Sequence, residues 1–254
     1  MCGMLKQKKA KKVSASSKIG EVEQDSTLDN YKQNIQTILQ QISDVLLING
    51  GFLNNQGLYS GEMGLVLFFT RYTRYSQNDL YLDYAYSLME KIQNRIHRNT
   101  PVNYKEGLAG IGSAIEYLVQ NDFFEADTDE ILEDFDERIF FTYNLSRLSI
   151  EEIRDVGYYA AWRLSGNSVQ KDAIRQIIQP HTVIPNLCVK TIPACFIEKT
   201  YNHCAELVLK NDFWNKDMGL QNGLAGWGIS LLTELDGDDS WFSLFPNDLI
   251  PEKK

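Results

Sequence analysis

Apolar residues recur every three or four positions from Leu28 to Ile48, through Ile35, Ile38, Leu39, Ile42, Leu46 and Leu47, which predicts an amphipathic helix ended by Asn49-Gly-Gly51. The stretch before it, residues 1–27, is built of Lys, Ser, Gln and Glu and reads as a disordered polar tail, leaving residues 28–254 as one folded domain. After the polar joint Ser76-Gln-Asn-Asp79 a second amphipathic helix runs to Arg98, with Leu82, Ala85, Leu88, Met89, Ile92 and Ile96 on its apolar face. A third is expected over Asp129–Tyr143, acidic outside, with Ile131, Leu132, Phe135, Ile139 and Phe140 inside.

Between these helices lie runs of a different kind. Leu65–Phe69, Ser113–Val119 and Ile229–Leu235 are apolar on nearly all sides, which predicts buried helices. Each is opened by the same signature: Gly61-Glu-Met-Gly64, Gly107-Leu-Ala-Gly110-Ile-Gly112 and Gly223-Leu-Ala-Gly226-Trp-Gly228. A weaker fourth copy, Gly157-Tyr-Tyr-Ala160, falls within a helix expected over Glu151–Leu164. Glycine costs a helix about 1 kcal/mol relative to alanine. Its repetition points to a notch that another backbone or side chain approaches closely. Alternation of an amphipathic outer helix with a glycine-led inner helix predicts an all-α array of stacked helix pairs, about four to five of them. Pro180, Pro185 and Pro193 make Thr182–Ile192 irregular, and Pro193 suits the first turn of a helix reaching Leu209.

Composition narrows the function. The net charge of −9 argues against nucleic acid or an anionic membrane as the main partner. No apolar stretch approaches the roughly 20 residues that cross a bilayer, so neither a span nor a signal peptide is expected. Four cysteines, Cys2, Cys188, Cys195 and Cys204, are too sparse to staple a secreted fold, and a reduced, cytoplasmic setting is expected.

The pairs of helices, the G-x-x-G-x-G starts and above all Gly107–Leu118 and Gly219–Leu235 resemble the lanthionine synthetase C-like family over residues 28–250. The resemblance implies an α/α toroid, here incomplete, since seven pairs at about 50 residues would need some 350. The ring is then small, open, or closed by a second copy of the chain. It also implies a peptide or protein partner, because family members cyclise dehydrated peptides with a zinc ion that turns a peptide cysteine into a thiolate.

The family's zinc ligands are a cysteine following a tryptophan and an adjacent Cys-His pair just before a repeat glycine. Here Trp162, Trp214, Trp227 and Trp241 are followed by Arg163, Asn215, Gly228 and Phe242. The residues ahead of Gly61, Gly107, Gly157 and Gly223 are Ser60, Glu106, Val156 and Asn222. Asn103 stands where the resemblance places an acid/base aspartate, and it cannot titrate. No catalytic, metal or cofactor residue is therefore assigned. The leading expectation is a zinc-free peptide-binding or accessory component of a ribosomal peptide modification system, its acidic surface suited to a basic leader.

Two other readings stay open. One is an active enzyme, either through a rearranged cluster of Cys188, Cys195, His203 and Cys204 or through carboxylates such as Glu62, Glu106 and Glu116, if two of these stood roughly 5 to 10 Å apart. In the plainer reading Cys195 and Cys204 are small core residues and His203 a surface or capping residue. The other is a structural helical-repeat adaptor with no peptide substrate.

Overall fold

The structure is a computed structural model that describes residues 16–142, 144–187 and 191–246, with side chains described from residue 28 onward. The polar tail expected over residues 1–27 falls largely outside the described residues, and the backbone is helical from Ser16. The chain divides into two compact units, residues 1–37 and 38–254. Helix α1, Ser16–Asn49, runs through that boundary. In the first unit Ile35 is buried. Everything below concerns the second.

Here the described residues are all-α and hold no strand. The expected inner helices are α2, Glu62–Ser76, and α4, Leu108–Gln120, with α7, Ile150–Ser165, and α10, Leu224–Asp236, to follow. Their burial is what an all-round apolar pattern demands: every residue from Glu62 to Tyr72 and from Leu108 to Leu118 is buried. The outer helix α3, Leu80–Arg95, lies on α2 and turns Ala85, Leu88 and Ile92 inward. Packing contacts run from α10 to α2, from α2 to α4 and from α4 to α7, so the inner helices form a row. No helix among the described residues is long and apolar enough to cross a membrane.

The third outer element differs from the expected single helix over Asp129–Tyr143. It is broken into α5, Thr128–Ile131, α6, Glu133–Asp136, and a π-helical turn, Glu137–Thr142, while Tyr143 lies outside the described residues. Asp129 and Asp136 both hold the guanidinium of Arg163. In an unbroken helix those two residues would be about 10 Å apart along the axis, more than two carboxylates gripping one guanidinium span easily. The break at Leu132, with φ −100° and ψ 9°, accommodates that shared grip.

Two further helices complete the unit. α8, Lys171–Ile178, was not read from the sequence: Ile174, Ile177 and Ile178 have helical spacing, but the stripe spans only about two turns. α9, Ala194–Lys210, starts after Pro193 as expected and packs on α10.

The three strong glycine signatures adopt one geometry. Gly61, Gly107 and Gly223 are extended residues immediately before their helices, with φ between −114° and −127°. In each copy the first helical N–H donates to the carbonyl seven residues earlier: Glu62 to Asn55 at 2.9 Å, Leu108 to Pro101 at 2.9 Å, Leu224 to Asp217 at 2.8 Å. The second glycine lies against the carbonyl six residues back. A Cβ on Gly110 would stand 1.8 Å from the Tyr104 oxygen, one on Gly226 1.9 Å from that of Leu220, and one on Gly64 2.8 Å from that of Leu58. The third glycine is the notch between inner helices: Gly112 receives the ring of Tyr159 from α7, and Gly228 that of Phe68 from α2.

Gly157 does not belong to this set. It sits in the middle of α7, whose start is instead a capping box in which Ser149 Oγ accepts from Glu152 N at 3.2 Å and Glu152 accepts from Ser149 N at 2.8 Å. A Cβ there would meet only the side chains of Thr182, at 3.2 Å, and Pro185. The fourth inner helix therefore lacks the repeat's entry loop, and a carboxylate replaces it: Tyr104 N donates to Asp155 Oδ2 at 2.9 Å, where its counterpart Leu220 N donates to the Tyr59 carbonyl at 2.7 Å.

Gly110→Ala is expected to cost about 3 kcal/mol, because its clash is with backbone. Gly157→Ala should stay within about 1 kcal/mol of the parent, helix propensity offsetting a small shift of Thr182. Urea unfolding of both variants checks this, and equal losses would mean that the two glycines are equivalent after all.

Candidate functional site

The loops that precede α2, α4 and α10 meet at one rim. Tyr59 joins them: its N–H donates to Lys105 O at 3.0 Å, and its carbonyl accepts from Leu220 N at 2.7 Å and Gln221 N at 3.0 Å. The backbones come close enough that a Cβ on Gly57 would be 2.4 Å from Glu106 Cα and one on Gly219 2.4 Å from Tyr59 O. The Tyr59 ring packs against Tyr104, edge to face at 6.3 Å, and against Phe245 at 5.2 Å. Phe245 closes an apolar segment, Trp241–Phe245, that follows α10. It is buried on the inner row, with Ser240 Oγ 2.9 Å from the Tyr117 hydroxyl.

The residues directly before the start glycines are Ser60, Glu106 and Asn222. Ser60 Oγ and Asn55 Nδ2 both donate to the Glu106 carboxylate. Asn103 Oδ1 accepts from Glu106 N at 2.8 Å, so Asn103 caps this loop. Asn222 occupies the left-handed region at φ 59°. Beside it is a cavity of about 220 Å³ lined by Lys199, His203, Gln221, Trp227, Trp241 and Phe242.

The other candidate carboxylates are not brought to this rim as a pair. Glu62 is fully buried at the start of α2 and faces α3, ion-paired to Lys91 and, at 3.1 Å, to Arg95. Glu116 lies about 13 Å along α4 from Gly107. It is buried against Arg163, which also takes Asp136 through Nε at 3.0 Å and through Nη2 at 2.7 Å, together with Asp129. Thr128 Oγ1 at 3.2 Å and Ser168 Oγ at 3.3 Å complete that shell. Burial works to lower the Arg163 pKa, but the hydrogen bonds it donates to Asp136 and Glu116 raise it overall. For Asp129 burial works upward, yet Ser168, the Val169 N–H and Arg163 together hold its carboxyl below the usual range. Tyr159, buried and donating to Asp136 Oδ1 at 2.6 Å, is pushed far up. The sequence showed these residue types but not their convergence, since Glu116, Asp129, Asp136 and Arg163 share no local spacing.

The cysteines are separated in the same way. Cys195 and Cys204 are nine residues apart on α9, which places them on opposite faces and about 13 Å apart along the axis. Cys195 is exposed, which corrects its reading as a core residue. Cys204 is buried, and burial pushes its thiol up to about 12. His203 is exposed and packs edge to face on Trp227 at 4.7 Å. Cys188 lies outside the described residues. Among the described residues no three His, Cys, Asp or Glu side chains are grouped to hold a metal ion.

A family model described as lanthionine synthetase C-like protein matches residues 14–156, more than half of the chain. The chain matches no curated protein and no solved structure. The third copy of the start geometry, around Gly223, lies beyond the matched segment and repeats what lies within it.

Two outcomes are expected. At pH 8 a maleimide should label Cys195 within minutes and leave Cys204 unmodified until the protein is unfolded, as peptide mapping would show. Because the folded value of Asp129 lies below the unfolded value of 3.8, its stabilisation is present above that value and is lost as pH falls through the folded one. Asp129→Asn should therefore lose less stability than the parent between pH 6 and pH 3 in urea titrations, and an equal loss would count against the assignment.

Proposed function

Because this chain belongs to the lanthionine synthetase C-like family, we propose that it serves a ribosomally made, lanthipeptide-type modification system as a non-catalytic component that binds the peptide without cyclising it. The observation that carries this reading is the chemistry of the rim. Where the family places a zinc-binding Cys-His pair, this chain has Ser60, Glu106 and Asn222, and Glu106 is already engaged by Ser60 and Asn55. A peptide thiol has a pKa near 8.5, and thioether formation needs its thiolate. None of the three residues set before the start glycines, Ser60, Glu106 and Asn222, carries a positive charge that would lower that pKa, and Asn103 cannot pass a proton. A row of inner-helix starts joined at one edge is still a surface on which a peptide can lie, and the net charge of −9 favours a basic one.

Purified protein supplied with zinc and then desalted is expected to retain well under one zinc per chain. Incubated with the dehydrated precursor peptide encoded beside its gene, it should bind the peptide while the peptide's free thiol count stays constant. One retained zinc per chain that is lost in Cys204→Ser, or consumption of peptide thiols, would overturn the proposal.

A further inference from the structure

The outer layer of the second unit has a gap. α3 packs on α2, the broken element from α5 to the π-helical turn packs on α4 and α8, and between these two walls lies a groove of about 1440 Å³. Its floor is apolar and buried: Ile92 from α3, Ile111 and Ile115 from α4, and Phe135 from α6. Tyr86 and Ile131, 52% and 47% exposed, line it from opposite walls.

We propose that this groove receives one amphipathic α-helix of the bound peptide, with a Lys- or Arg-bearing flank turned toward α5 and α6. The inference rests on the peptide-binding reading above and adds where the peptide docks and in what conformation. Three observations favour a helix over an extended strand. The walls are mostly helical and hold no strand among the described residues, so they offer no edge for an added strand. A helix with its side chains is about 10 to 12 Å across, and about three turns of it fill a groove of this volume. The floor is a continuous apolar strip of the kind that anchors at i, i+3 or i+4, and i+7 occupy. The charge sets the orientation: Glu130, Glu133 and Asp134 line the groove from α5 and α6, while its arginines, Arg98, Arg138 and Arg147, come from the segments after α3 and after α6, and the exposed Arg147 suits an acidic helix terminus.

The test uses the full-length protein and the fluorescein-labelled leader segment of the precursor peptide encoded beside its gene, read by anisotropy. The double variant Tyr86→Ala, Ile131→Asp changes side chains that are about half exposed, and thermal melting verifies its fold. It should weaken binding at least tenfold, whereas Leu209→Ala on the exposed face of α9 should change it less than threefold. A leader with proline in the centre of its apolar stripe should also bind at least tenfold more weakly. Glu130→Lys with Glu133→Lys should weaken the natural leader and be rescued by a leader whose flanking Lys and Arg are replaced by Glu. Tight binding that survives the groove variants, or that tolerates the proline, overturns the docking site while the peptide-binding reading stands. Failure of the unaltered protein to bind the leader at all removes that reading and the groove with it.

Discussion

A carbonyl pressed against a glycine is the contact on which this fold turns. At Gly110 and Gly226 the oxygen six residues upstream occupies the space a Cβ would need, and at Gly64 it nearly does. The same turn sends the carbonyl seven residues upstream to the first free N–H of the helix, satisfying a donor that a helix start otherwise leaves to water or a side chain. None of these three starts uses a side-chain cap. The backbone caps itself, and only glycine lets it come close enough. Once three loops have that shape they present matching edges, and Tyr59 can bond to both neighbours at once.

Charge holds the layers where apolar packing alone would let them slide. Glu62 ties α2 to Lys91 and Arg95 of α3, Arg71 ties the other end of α2 to Asp236 of α10 at 3.0 Å, and Arg163 ties α7 to Glu116 of α4 and to Asp129 and Asp136. Buried ion pairs add little net stability compared with apolar residues of the same volume, but removing one partner leaves an uncompensated charge and costs about 3–5 kcal/mol. Their contribution here is registry. Arg163 fixes the broken third outer element in a form that leaves the groove beside α3 open.

At the rim the start geometry recurs three times, while the residues set before the glycines are serine, glutamate and asparagine, two of them bonded to each other. Scaffold and chemistry separate because they depend on different atoms. The turn is made by backbone and rests on the glycines, so the residues before Gly61 and Gly107 can differ between copies without changing it.

The all-α class, the paired outer and inner helices, the three equivalent starts and the family were legible in the sequence, because each follows from local periodicity or from glycine, whose role depends on its own backbone. Gly157 misled for the same reason: its spacing fits the repeat, but only the packed structure shows that Ser149 begins that helix and that Asp155 takes the place of the missing loop. The convergence of Glu116, Asp129 and Asp136 on Arg163, the separation of Cys195 from Cys204, the burial of Trp241–Phe245 on the inner row and the groove between outer walls were settled by tertiary structure alone. Each depends on residues far apart in the chain meeting in space, and no local pattern records which of the many acids or aromatics will meet.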